Sequence, residues 1–299
     1  MQYRRHLLLP CLFCFATLAL GPALAQETPP PPNEPPPAEE ELPLWELGVG
    51  AGALHIPDYP AASQHRIRGI ALPYAVYRGE IFRLGDGQAA RAVAAESERF
   101  ELSLSFDAAF DASSEDNRAR EGMPDLDYMF EVGPQLIINL GDYKFADGGY
   151  SDLKLALQAR GVFSTDFTRL DDRGKVFEPM LRYRHYGLVW PEFDLSISLR
   201  PVWADRRLHA YFYEVRDEFV TEERPSYHAE SGYFGTHLNF YGSWHVTDRF
   251  EVFGGVQTLT HNGSANTDSP LYRRNFNASV GIGFIWKVLE SERTVTRPN

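Results

Sequence analysis

The sequence predicts an all-β chain, a transmembrane antiparallel β-barrel of about twelve strands, with ten or fourteen also open. Three observations predict it. Apolar and polar residues alternate with a period of two through segments that mostly run 9–13 residues. Soluble strands usually run ~5–6 residues, and nine to eleven tilted at ~45° cross a bilayer. The polar face of several segments carries charge near its middle (Glu101, Asp107, Glu131, Arg182, Arg184), which suits a wet lumen or open solvent and not a protein core. Aromatic residues gather near segment ends (Trp45, Tyr77, Phe110, Tyr128, Trp190, Trp203, Trp244, Phe250, Trp286), where a barrel places its interfacial girdles. A soluble β-sandwich or lectin-like domain, burying the same apolar faces in a core, is the alternative.

Composition narrows the function classes. The 299 residues hold 41 acids against 29 Lys and Arg, a net charge of -12, which argues against a nucleic-acid-binding surface. A mean hydropathy of -0.34 excludes a bundle of membrane helices. A barrel tolerates it, because only every second wall residue must be apolar.

Arg4 and Arg5, the apolar run 7–20 and Ala23-Leu24-Ala25 form a basic, apolar and cleavable series, so residues 1–25 read as a secretory signal peptide. Both cysteines, Cys11 and Cys14, fall inside it, leaving a mature chain with no thiol, disulfide or Cys-ligated metal. Residues 26–43 hold eight prolines and five acids. They read as an extended periplasmic tether that could reach roughly 50 Å. The barrel is expected over 44–287 and a polar, unstructured tail over 288–299.

Within the barrel, strict alternation marks 100–110, 130–140, 153–159, 193–203 and 276–286. Segments 45–54, 69–77, 79–84, 177–187, 208–215, 232–246 and 250–259 complete the twelve, and no amphipathic helix is evident. Turn signals separate them: Asp86-Gly87, Asn139-Leu140-Gly141-Asp142, Asp147-Gly148-Gly149, Asp171-Asp172-Arg173-Gly174, Thr247-Asp248 and Asn262-Gly263.

Three groups of residues carry possible chemistry. Pro57-Asp58-Tyr59-Pro60 reads as a rigid turn whose carboxylate accepts nearby backbone N–H groups. His237, Asn239, Tyr241, Ser243 and His245 share one face of a strand, opposite Phe234, Leu238, Phe240 and Trp244. Such a row could supply the nucleophile and base of a hydrolase or simply line the lumen. The two histidines are eight residues apart, ~26 Å at ~3.3 Å per residue, which defeats a shared metal site. Arg182, Arg184 and Tyr186 also point inward, with Arg160 and Arg200 on neighbouring strands. Glu101, Asp107, Glu131, Glu178 and Asp194 are their expected partners, in a lumenal salt-bridge network or an ion-selective constriction. No residue is assigned a catalytic, cofactor-binding or metal role, and nothing calls for a cofactor.

Specific residues carry a family likeness. Trp45-Glu46-Leu47-Gly48-Val49-Gly50-Ala51-Gly52 with Ile56-Pro57-Asp58-Tyr59-Pro60 resembles the opening of MipA/OmpV family proteins. So do Leu72-Pro73-Tyr74, Tyr77-Arg78-Gly79-Glu80, Tyr211-Phe212-Tyr213-Glu214-Val215, Ser231-Gly232-Tyr233, Asp268-Ser269-Pro270-Leu271 and Ser279-Val280-Gly281-Ile282-Gly283-Phe284, in that order. The family commonly shows Pro-Gly after the Asp-Tyr, and here Pro60 is followed by Ala61. The resemblance implies a barrel in the cell outer membrane, in contact with outer-membrane lipid and lipopolysaccharide. It also implies a non-enzymatic scaffold between a lytic transglycosylase and a penicillin-binding protein. A small-solute channel or adhesin is the second expectation, and a lumen-based lipid hydrolase the third.

Overall fold

A computed structural model describes residues 41–84, 90–109, 114, 116–145 and 149–296. The expected signal peptide (1–25), residues 26–40 of the proline-rich segment, Phe110 and the turn signals Asp86-Gly87 and Asp147-Gly148 lie outside the described residues.

The described strands are β1 (Glu41–Pro43), β2 (Trp45–Pro57), β3 (His65–Arg78), β4 (Phe82–Leu84), β5 (Ala90–Glu96), β6 (Phe100–Ala109) and β7 (Tyr128–Lys144). They continue with β8 (Tyr150–Thr165), β9 (Leu170–Tyr186), β10 (Phe193–Ala204), β11 (Gly232–Thr247), β12 (Phe250–Thr260), β13 (Phe276–Glu290) and β14 (Thr294–Thr296). Twelve of them, β2 to β13, close into an antiparallel barrel in which β13 pairs back onto β2, Val280 opposite His55 and Glu290 opposite Glu46. Alternation decides which face looks where. Leu102, Leu104, Phe106, Leu199, Phe240, Ile282 and Trp286 are exposed on the outside, while Glu101, Ser103, Ser105, Gln135, Arg160 and Glu178 are buried within. An apolar outside around a polar inside is the pattern of a lipid-facing wall. Aromatic pairs mark the end that bears the short turns: Trp45 opposite Tyr77, Phe250 opposite Trp286, and Trp190 edge-on to Trp244.

The count of twelve survives two compensating errors. Strand β5 was not expected, because Ala-Arg-Ala-Val-Ala-Ala gives little alternation. Residues 208–215, expected as a strand, are instead mostly a helix, α1 (Arg206–Tyr213). Asp205 caps it by accepting the Leu208 N–H at 3.1 Å, and Leu208, His209, Phe212 and Tyr213 bury one face at helical spacing. Gly174 makes room for this cap: it sits at φ +110°, and a Cβ there would lie 2.1 Å from Asp205 Oδ1. The expected turn at 171–174 therefore lies inside β9, and the one at 139–142 is a bulge within β7.

The tail is also corrected. Residues 288–290 continue β13, and Thr294–Thr296 pairs with Glu41–Pro43 as a two-stranded ribbon, Leu42 opposite Val295. The β-branched Thr-Val-Thr run favours an extended chain, and the ribbon is tied to the barrel seam by Leu44 N–H donating to Arg293 O (2.8 Å) and Ser291 N–H to Trp45 O (2.9 Å). The end of the proline-rich segment thus belongs to the fold from Glu41 onward.

The hydrophobic core joins the long connections to the inner face of the strand ends beneath them, at Met129, Val162, Val176 and Val202. Tyr59, Ala61, Leu126, Leu208, Phe212, Tyr213, Phe234 and Leu271 also belong to it, at the end opposite the short turns, where residues 58–64, 116–127, 205–231 and 261–275 fold over the barrel mouth. Phe234 belongs there because of a bulge: the β10–β11 ladder slips between Val202 and Trp203, turning Tyr233 outward against Trp203 and Phe234 inward. Its expected place on the outer face is overturned by that single-residue slip.

Candidate functional site

The lumen and its two ends are the candidate site. At the long-loop end the connections lock together through buried polar groups. The Tyr59 hydroxyl donates to Leu271 O (2.8 Å), Tyr213 to Pro60 O (3.1 Å) and Ser269 to Tyr213 O (2.7 Å). Arg120 donates to Phe212 O, Pro124 O and Ser114 Oγ at 3.1–3.3 Å. Burial pushes the Tyr59 hydroxyl up to about 12 and Tyr213 well above its ordinary value, and holds His209 and His261 below theirs. These groups are kept neutral in a dry cap. Among the described residues Asp58 accepts from side chains and not from the backbone N–H groups expected: Arg66 Nε at 2.5 Å and Asn117 Nδ2 at 2.6 Å, which fastens Asn117, ahead of β7, to β3. Ala61, where the family commonly has glycine, adopts φ +66° and is fully buried, its N–H donating to Asn277 Oδ1 (2.8 Å).

Below the cap lies a cavity of about 630 Å³. Its upper wall is apolar (Leu126, Met129, Val176, Val202, Phe234, Leu259) and its floor charged. That floor is the arginine network. Arg160 contacts Glu178, Glu131 (3.2 Å) and Asp107 (3.5 Å), and Arg200 reaches Glu178 (3.7 Å) and Asp107 (3.8 Å). Three of the expected partners thus meet around two of the expected cations. The rest separate. Register sets Arg184 opposite Asp152, which it binds at 3.1 Å. Glu101 lies beside β4 and β5 and takes Arg83 (3.2 Å) and Arg91 (3.3 Å), and Asp194 faces His245 at 3.5 Å. One expected network is thus several separate groups.

The His/Asn/Ser row does line the lumen. Asn239 donates to Ser198 at 3.0 Å, and Ser243 and His237 are on one strand six residues apart, ~20 Å at strand spacing. His245, the nearer base, directs Nε2 to Asp194 (3.5 Å) and Nδ1 to Glu251 (3.7 Å). A nucleophile–base–acid relay needs one ring nitrogen for the hydroxyl, and both are turned to carboxylates. Among the described residues no group of three or more His, Cys, Asp or Glu is arranged to hold a metal ion.

Sequence reasoning missed the carboxylate that closes the seam. Glu46 on β2 is 2% exposed and receives Arg78 (2.8 Å) and Lys287 (3.1 Å), joining the first and last barrel strands beside the ribbon. Its signals are an acid beside Trp45 and its place in the family-like opening Trp45-Glu46-Leu47.

Comparison with known proteins follows the geometry. No curated protein matches. Among solved structures the chain is similar to the NanC porin (10% identity, TM-score 0.38, 81% of this chain and 100% of that one). It is also similar to the COG4313 outer membrane channel from Pseudomonas putida F1 (11%, 0.36, 86% and 100%) and to Salmonella typhi OmpF in complex with daunomycin (7%, 0.33, 83% and 100%). Likenesses of that order say nothing about what the chain binds. The family model described as MltA-interacting protein MipA matches residues 49–288, which takes in the whole barrel wall from early β2 to late β13, and the chain belongs to the MipA family.

Proposed function

We propose that this chain is an outer-membrane barrel that works from its periplasmic end, as a scaffold for a lytic transglycosylase of the MltA kind and a penicillin-binding protein. Barrels of the outer membrane keep short turns on the periplasmic side and long loops outside. This places the capped mouth outside the cell and the β1–β14 ribbon toward the cell wall. The observation that carries the reading is the cap: its buried core and interlocked loops suit a filled membrane anchor better than an open pore. Two further features support it. The family's description names such a partner, and the proline-rich residues 26–40 lead directly into the ribbon, so a partner bound there gains reach without a folding cost.

The test is equilibrium binding of a purified MltA-type lytic transglycosylase to the mature chain in nanodiscs. The expected result is saturable binding to wild type, weakened about tenfold by deleting residues 27–40 or by the ribbon-breaking change Val295→Pro. Equal binding by all three would remove the periplasmic end from the account, and no binding to wild type would refute the scaffold.

A further inference from the structure

The geometry points to a small-oxoanion site just inside the short-turn mouth, built around Lys154 and Arg182. The β8–β9 ladder sets these two cations directly opposite each other on the lumenal face. Like charges so placed repel, and a fold keeps such a pair at a cost unless something negative sits between them.

Apart from Glu98, which is exposed, each nearby carboxylate among the described residues is engaged through at least one oxygen, Asp142 by Asn139 Nδ2. Asp152 receives Arg184 at 3.1 Å, Glu101 receives Arg83 and Arg91, and Glu178 is held by Arg160 one layer deeper. Among the described residues, neither Lys154 nor Arg182 makes an ion pair or a hydrogen bond, and Arg182 Nε is buried with no partner. The two positions that flank them in the sheet carry neutral hydrogen-bonding side chains: Asn139 opposite Lys154 on β7 and Ser198 opposite Arg182 on β10. The pair faces a pocket of about 60 Å³ walled by six cationic side chains and three carboxylates. That is room for roughly four waters or for one compact anion.

The chemistry selects the ligand class. A guanidinium fork binds two oxygens of one planar or tetrahedral group, and a lysine adds a point charge. A carboxylate or phosphate group fits; a bare halide would leave the fork half used. The group could belong to a free anion or to the end of a larger periplasmic molecule, since the pocket lies at the mouth and not under the cap. This site is independent of the scaffold reading, because its residues are in the barrel wall and not in the ribbon or residues 26–40.

The test uses the mature chain in detergent micelles at constant ionic strength, reading the thermal midpoint of its folded form while inorganic phosphate replaces chloride. Wild type should gain a midpoint shift that follows RT ln(1 + [L]/Kd), with one phosphate bound per barrel in equilibrium dialysis. Lys154→Gln and Arg182→Gln should be more stable than wild type in chloride and gain nothing from phosphate. Arg182→Lys, which keeps the charge and loses the fork, should bind about tenfold more weakly and remains informative if a Gln variant fails to fold. Competition by acetate assigns the site to oxoanions generally, and indifference to acetate assigns it to phosphate; either supports the site. An equal phosphate shift in wild type and both Gln variants, or no phosphate bound to wild type, would overturn it.

Discussion

Tyr213 offers the sharpest test of the capped lumen. Its side chain is fully buried, its ring packs against Phe212, Phe234 and Tyr272, and its hydroxyl donates to Pro60 O. Truncating a buried aromatic to alanine costs ~3–5 kcal/mol, and the Pro60 carbonyl left without its donor adds about 1 kcal/mol. Tyr213 takes no part in the barrel ladder and meets the wall only at Phe234, so most of the loss falls on cap opening and not on global unfolding. At ~1.4 kcal/mol per tenfold, Tyr213→Ala should raise the open-cap population on the order of a thousand- to ten-thousand-fold. Tyr213→Phe, which keeps the ring, should raise it about five- to tenfold. Limited trypsin digestion in micelles reads this directly, because Arg206, Arg207, Arg216 and Arg224 lie in the connection that would open and cleavage from a fast-opening state tracks its population. An unchanged nicking rate in Tyr213→Ala, with the barrel still heat-modifiable in gels, would refute the idea that these loops act as one packed unit.

Three further predictions follow from the same geometry. At Ala61 the left-handed backbone costs ~1–2 kcal/mol for a residue with a Cβ, while glycine's unfolded-state entropy and the lost methyl together return about as much. Ala61→Gly should therefore unfold within about 1 kcal/mol of wild type, and Ala61→Val, β-branched and without space, should lose several; equal urea midpoints for the two would count against the strained turn. Removing Arg160 leaves Glu131, Glu178 and Asp107 facing one another, so Arg160→Met should cost ~3–5 kcal/mol in urea unfolding and Glu178→Gln added to it should recover part. A double variant no more stable than the single one would contradict the network. Burial holds His209 and His261 below the ordinary 6.5, so the open cap takes up protons more readily than the closed one. Cap stability should be complete above about pH 6.5 and fall as the pH drops below it, seen as faster trypsin nicking at pH 5.5 than at 7.5 once corrected for protease activity. A flat profile would show that neither histidine titrates with opening.

Much of the wall was legible in the sequence, because a period of two is a direct consequence of one face meeting lipid and the other a polar lumen. Leu102, Leu104 and Phe106 against Ser103 and Ser105 could be read only one way. What the sequence hid depends on contacts between distant segments. Leu208–Val215 is too short and too rich in aromatic residues to announce its helical spacing as a period, and its helicity rests on Asp205 approaching Gly174 thirty-one residues earlier. Phe234 keeps strand chemistry, and only the slip of register at Val202/Trp203 sends it inward. Alternation puts the arginines on the lumenal face. Their partners depended on axial position, which alternation does not encode: Arg160 and Arg184 look alike in sequence, yet one meets Glu178 and the other Asp152. Ala61 was noticed as a departure from the family's glycine, and its positive φ gives that departure a physical meaning.

The central claim is that this outer-membrane barrel is capped by its own loops and does its work at the periplasmic end. Planar-bilayer recording of the purified mature chain tests it most directly. The account predicts a flat trace for wild type, with current steps appearing in Tyr213→Ala as its cap opens. Stable, unitary conductance steps from wild type at neutral pH would contradict it and make the lumen a pathway.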